Sequence, residues 1–96
     1  MSKLHELRIL PKWFKAMMFE GKDFEIRFND RRFEVGDCLL MREWDELSGY
    51  TGNYIKAKIK YVYQGTGEYG VSKECCILGL EDIVCTLTRE ESVNDG

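Results

Sequence analysis

Between Tyr54 and Tyr63 the chain alternates strictly: Ile55, Ala57, Ile59 and Tyr61 interleave with Lys56, Lys58 and Lys60. A period of two is that of a β-strand, whose successive side chains point to opposite faces. Such a strand lays its apolar row on a core and its lysines in water, the pattern of an antiparallel sheet with one buried face. Six further segments can be placed around it. His5 to Ile9 reads as a first strand. Pro11, then Trp13, Phe14, Met17 and Met18, and finally Gly21 read as a short amphipathic helix with its start and stop signals, its apolar stripe packed on the sheet. Phe24 to Phe28 is a short strand. Cys38 to Trp44 is an apolar strand expected to pair with Tyr54 to Tyr63 across a long tip, Asp45 to Asn53. Cys75 to Leu80 and Ile83 to Leu87 read as last strands after a glycine-rich loop, Gln64 to Gly70.

At 96 residues this is one domain, expected over residues 1–88, with residues 89–96 composed as a flexible acidic tail. The fold class that follows is α+β: one or two short helices on five to six mostly antiparallel strands, a compact domain or small, partly closed barrel. No apolar run approaches the roughly 20 residues that cross a bilayer, and Met1 to Glu6 hold no apolar signal region. A cytoplasmic location and no membrane partner are expected. Cys38, Cys75, Cys76 and Cys85 show no paired metal-ligand spacing, so they read as small hydrophobes, with no metal and no cofactor. Cys75 and Cys76 point to opposite strand faces, leaving room for at most one of them in the core.

The net charge of −3 argues against a general polyanion binder, yet the charge is unevenly spread. Residues 1–32 carry eight Lys or Arg against five Asp or Glu, whereas residues 81–96 carry one Arg against five acids. The basic end holds the segment Gly21 to Arg32. There Phe24, Ile26 and Phe28 are expected to face the core, and Glu25 and Arg27 to form a charged outer face. By strand rise Glu25 and Arg27 stand about 7 Å apart, close enough to bound one pocket and too far for an ideal ion pair. Lys22 offers a point charge and Arg27 a planar fork, both suited to phosphate, with Arg31 as a second phosphate contact. Asn29 and Asp30 suit a turn. His5, the only histidine, is a candidate base or ligand contact, and Tyr50 is an exposed aromatic that suits stacking on a base.

The run Gly21-Lys22-x-x-Glu25-x-Arg27, preceded by a strand and a helix and followed by Val35-Gly36-Asp37, resembles the ASCH domains of the PUA-like superfamily. His5-Glu6-Leu7 with Pro11, the stretch Phe24 to Arg31, Glu43-Trp44 and Tyr50-Thr51-Gly52 look like a bacterial and phage branch of that group. The resemblance covers residues 4 to about 80. It implies a PUA-like pseudo-barrel whose helix and motif strand border a cleft, and a role in RNA binding. It also places Lys22, Glu25 and Arg27 on the motif lysine, acid and arginine. The expected ligand set is therefore His5, Lys22, Glu25, Arg27, Arg31 and Tyr50 around RNA or a nucleotide-like ligand. Some ASCH members hydrolyse acetylated cytidine or cut RNA, so the alternative is a small hydrolase acting on an N-acetylcytidine-like nucleoside or on RNA. Lys22 would then be the base and Glu25 its partner. In the amidohydrolase members a threonine nucleophile stands where this chain has Glu25, so water would have to serve.

Overall fold

The computed structural model describes residues 2–88; the tail expected over 89–96 lies outside the described residues. Five strands, β1 (Leu4–Ile9), β2 (Phe24–Phe28), β3 (Cys38–Asp45), β4 (Gly49–Gln64) and β5 (Cys75–Thr86), form one sheet, with the helix α1 (Pro11–Phe19) after β1. The order is β1-β3-β4-β5-β2. β1 and β3 are parallel and the other neighbours antiparallel, so the fold is α+β with a curled, mixed sheet.

The curl comes from β4, whose alternating core residues the sequence shows most clearly. Its first part pairs with β3 and its last part with β5, and register shifts bend it along the way. Near the β3–β4 tip, three residues of β3 (Arg42 to Trp44) face five of β4 (Tyr50 to Tyr54). Gly52, at φ 96°, takes up the excess, and a Cβ there would run into Thr88 Oγ1. The long tip expected over Asp45 to Asn53 is therefore a short one, because Tyr50 and Thr51 pair as strand. β5 is likewise one strand where two were expected; Asp82, at φ 54°, marks an irregularity that leaves pairing on both sides intact.

The inner face of the curl is the core. Leu7 and Ile9, Leu39 and Met41, Ile55, Ala57 and Ile59, and Cys76, Leu78 and Leu80 alternate inward, while Phe14 and Met17 of α1 close one side and Phe33 the other. Lys56, Lys58 and Lys60 are exposed, as their spacing required. All four cysteines are free, and Cys76 alone is fully buried. Burial holds the thiols of Cys76 and Cys85 above their ordinary value, which suits small apolar side chains more than reactive ones.

Trp13 and β2 depart from expectation. The buried face of α1 is Phe14, Ala16 and Met17, and Trp13 stands at its rim, 44 % exposed. In β2 the faces are reversed. Glu25 is buried at 5 % exposure, whereas Phe24, Ile26 and Phe28 are 40, 60 and 71 % exposed. Antiparallel partners share a face, and Glu25 and Arg27 stand opposite Leu78 and Cys76, both core residues. The charged row therefore looks inward, and the apolar row of this edge strand looks out.

Candidate functional site

The motif segment is placed by the end of α1. Gly21 adopts φ 77°, a left-handed conformation that costs glycine little, and the Lys22 amide turns back to Ala16 O at 3.2 Å. Lys22 thus emerges beside β2. Its Nζ donates to Phe24 O at 2.6 Å and to Glu25 Oε1 at 2.7 Å. On the other side Arg27 Nη2 and Nε donate to Glu25 Oε2 at 2.8 and 3.2 Å. The expectation that Glu25 and Arg27 are too far apart to pair is corrected: both side chains lean inward and meet, which the rise between their Cα atoms does not register. Two cations around one carboxylate explain how Glu25 sits inside the sheet.

Arg27 has a second role. Its Nη2 also donates to Arg8 O of β1 at 2.6 Å. β1 and β2 are the two edges of the curled sheet, so this contact spans the seam where a closed barrel would have a ladder. On either side of the bridge the seam opens into a hollow. The first, about 730 Å³, lies between α1, β2 and the end of β1, with Trp13, Phe24 and Ile26 on its walls and Lys22, Glu25 and Arg27 at its base. The second, about 640 Å³, holds Glu6, Phe28, Asp30, Arg31 and Tyr50. Arg8, Ile26 and Arg27 border both.

The structure therefore brings Lys22, Glu25 and Arg27 together in one hollow, and Arg27, Arg31 and Tyr50 in its neighbour. It leaves His5 out. His5 is buried, does not line either hollow, and its Nε2 contacts Asp37 Oδ2 at 2.8 Å. Asp37 also accepts the amides of Lys3 and Glu34 at 3.0 and 3.1 Å. Burial pushes the Asp37 carboxyl up, but these three bonds outweigh it and hold it below its ordinary value of 3.8. A carboxylate carries no hydrogen, so His5 Nε2 supplies it. The pair anchors the Val35-Gly36-Asp37 turn to β1.

Two residues of the seam were not expected from the sequence. Trp13 reads there as core, and only its place at the rim of the helix stripe hints otherwise. Arg8 reads as an ordinary outward residue of β1, yet its guanidinium lies 4.4 Å from the centre of the Trp44 ring and its Nε donates to Tyr50 Oη at 3.3 Å. Among the described residues no helix is long and apolar enough to cross a membrane, and no group of three or more His, Cys, Asp or Glu could hold a metal ion.

Residues 4–80 match the model of a family described as "Domain of unknown function (DUF3850)", and the chain belongs to that family. It is 36 % identical over 59 residues to an "Uncharacterized 12.9 kDa protein in GpA 3'region" of Escherichia phage P2. That match covers 62 % of this chain and 53 % of the phage protein, so the chain spans about half the length of the curated relative it matches.

Proposed function

We propose that this member of the DUF3850 family is a PUA-like module that binds a nucleotide of single-stranded RNA in the first hollow. The observation that carries the reading is the shared placement of two aromatics, Trp13 and Phe24, with the Lys22–Glu25–Arg27 network in one open hollow. Its volume falls within the usual range for small-ligand sites, roughly 300 to 1,000 Å³. A base stacks on the aromatic wall. Glu25 Oε1 has a single protein donor, Lys22, and so retains a lone pair for an amino or imino hydrogen of the base. The resemblance to ASCH domains points to the same class of ligand.

The geometry favours binding over hydrolysis. Lys22 Nζ is turned toward Glu25 and Phe24 O, and among the described residues no Ser, Thr or Cys that could act as a nucleophile lines the first hollow. N-acetylated cytidine is accordingly expected to survive incubation with the protein. Binding is tested by anisotropy of a labelled short single-stranded RNA at two salt concentrations. The expected result is binding that weakens with salt, and Trp13→Ala lowers affinity about five- to a hundredfold, the contribution of one stacked base. No binding at low salt, or equal affinity for the Trp13→Ala variant, ends this reading.

A further inference from the structure

We infer that the site takes two consecutive nucleotides of a single strand, one in each hollow, with the phosphate between them over Arg8. This rests on the nucleotide-binding reading above and extends it to the length of ligand recognised.

The two hollows lie end to end along one seam and share a wall. Each has its own aromatics: Trp13 and Phe24 in the first, Phe28 and Tyr50 in the second. Phe24 and Phe28 belong to the same outward row of β2, four residues apart, which is roughly 13 Å of strand. One base cannot touch both. Phe28, at 71 % exposure, covers no part of the core, and the described fold gives it no packing role.

Charge singles out the wall between the hollows. Lys22 and Arg27 are held by Glu25, and Arg31 by Asp30. Among the described residues no carboxylate lies within ion-pairing distance of Arg8. Its guanidinium rests between Trp44 and Tyr50 and borders both hollows. The un-neutralised cation of the seam thus stands where a strand running from one hollow to the next places its linking phosphate. Arg suits that contact because its planar fork meets two phosphate oxygens at once.

The experiment is titration calorimetry of the full chain with the four nucleoside 5′-monophosphates and the four matching homodinucleotides, at low salt. The best dinucleotide is expected to bind at least about tenfold tighter than its monophosphate, the gain of one stacked base. Phe28→Ser is expected to remove that gain while leaving the monophosphate affinity within about twofold, and Arg8→Gln, at the wall between the hollows, is expected to remove the gain as well. Both side chains are exposed, so both variants should fold, and Tyr50→Ala gives a third probe of the second hollow only. Monophosphate binding with no dinucleotide gain, or a gain unchanged in all three variants, overturns the inference and leaves the single-nucleotide reading standing. If neither ligand binds, both fall. Sedimentation covers the other occupant: a dimer that Phe28→Ser dissociates, with no dinucleotide gain, assigns the row to a second copy of the chain and overturns the inference.

Discussion

Glu25 carries a charge at 5 % exposure, and a buried carboxylate without partners costs several kcal/mol. Lys22 and Arg27 offset that cost, but they also need Glu25: remove it, and two cations are left side by side at the base of the hollow. Glu25→Ala is therefore expected to destabilise the fold by roughly 2 to 4 kcal/mol, less than a fully buried pair because Lys22 and Arg27 are partly exposed. Urea unfolding measures it, and a loss under about 0.5 kcal/mol means that the network is not what holds β2 in place. Asp37 gives a prediction in pH. Its folded pKa lies below the ordinary 3.8, so the native state binds fewer protons than the unfolded one as pH falls through that region. Its contribution is fully present above about pH 4 and is lost as pH drops through the lowered folded value. Unfolding measured from pH 5 downward is expected to show a shallower acid slope in Asp37→Asn than in the parent. Equal slopes assign the acid sensitivity to other carboxylates.

The elements differ in how openly their sequence declares them. Tyr54 to Lys60 states its two faces outright, because lysines every second residue have one tolerable side; past the register shift after Ile59 the faces exchange, so that Tyr61, expected in the core row, is 62 % exposed and Val62 packs on the core instead. Pro11 and Gly21 likewise delimit α1 within two residues of its observed ends. β2 is also visible as a strand, but its direction of facing is not. Alternation of Phe, Ile and Phe with Glu and Arg normally puts the apolar row inside, and the reversal depends on two facts outside the segment. Lys22 arrives from the helix end to neutralise Glu25, and β2 lies at the sheet edge, where among the described residues no layer covers its outer row. The placement of His5 is hidden for a similar reason: its partner Asp37 is 32 residues away, and only folding brings them together. The reversal is open to a direct test. Ile26→Ser is expected to change stability by no more than about 0.5 kcal/mol, as for other exposed positions, whereas Leu78→Ala on the core side should cost about 2 to 5 kcal/mol. Comparable losses from both would return Ile26 to the core. Ile26 borders both hollows, so its loss is a matter for affinity and not for folding.

On the scale of the molecule the sheet is a barrel that stops short of closing. β3, β4 and β5 are each paired on both sides, while β1 and β2 each have one free edge, and these edges face one another. Unpaired edges invite association, and proteins cover or charge them. Here a side chain does part of that work, because Arg27 reaches across to Arg8 O and fixes the width of the seam. A full strand ladder would have closed the two hollows; one bridge leaves both open while keeping the walls at a set distance. Arg27→Met keeps much of the side-chain volume but removes the bridge and leaves Glu25 with Lys22 alone. Backbone amides of β1 and β2 are expected to exchange with deuterium faster in that variant, by about five- to thirtyfold for a loss of 1 to 2 kcal/mol in local opening. Amides in the centre of β4, bonded on both sides, should open only with the whole fold and so follow global stability. Faster exchange confined to the two edges identifies Arg27 as the seam's fastening. Uniform acceleration through all five strands assigns Arg27 to global stability instead, and an unchanged pattern shows that α1 alone sets the width of the cleft.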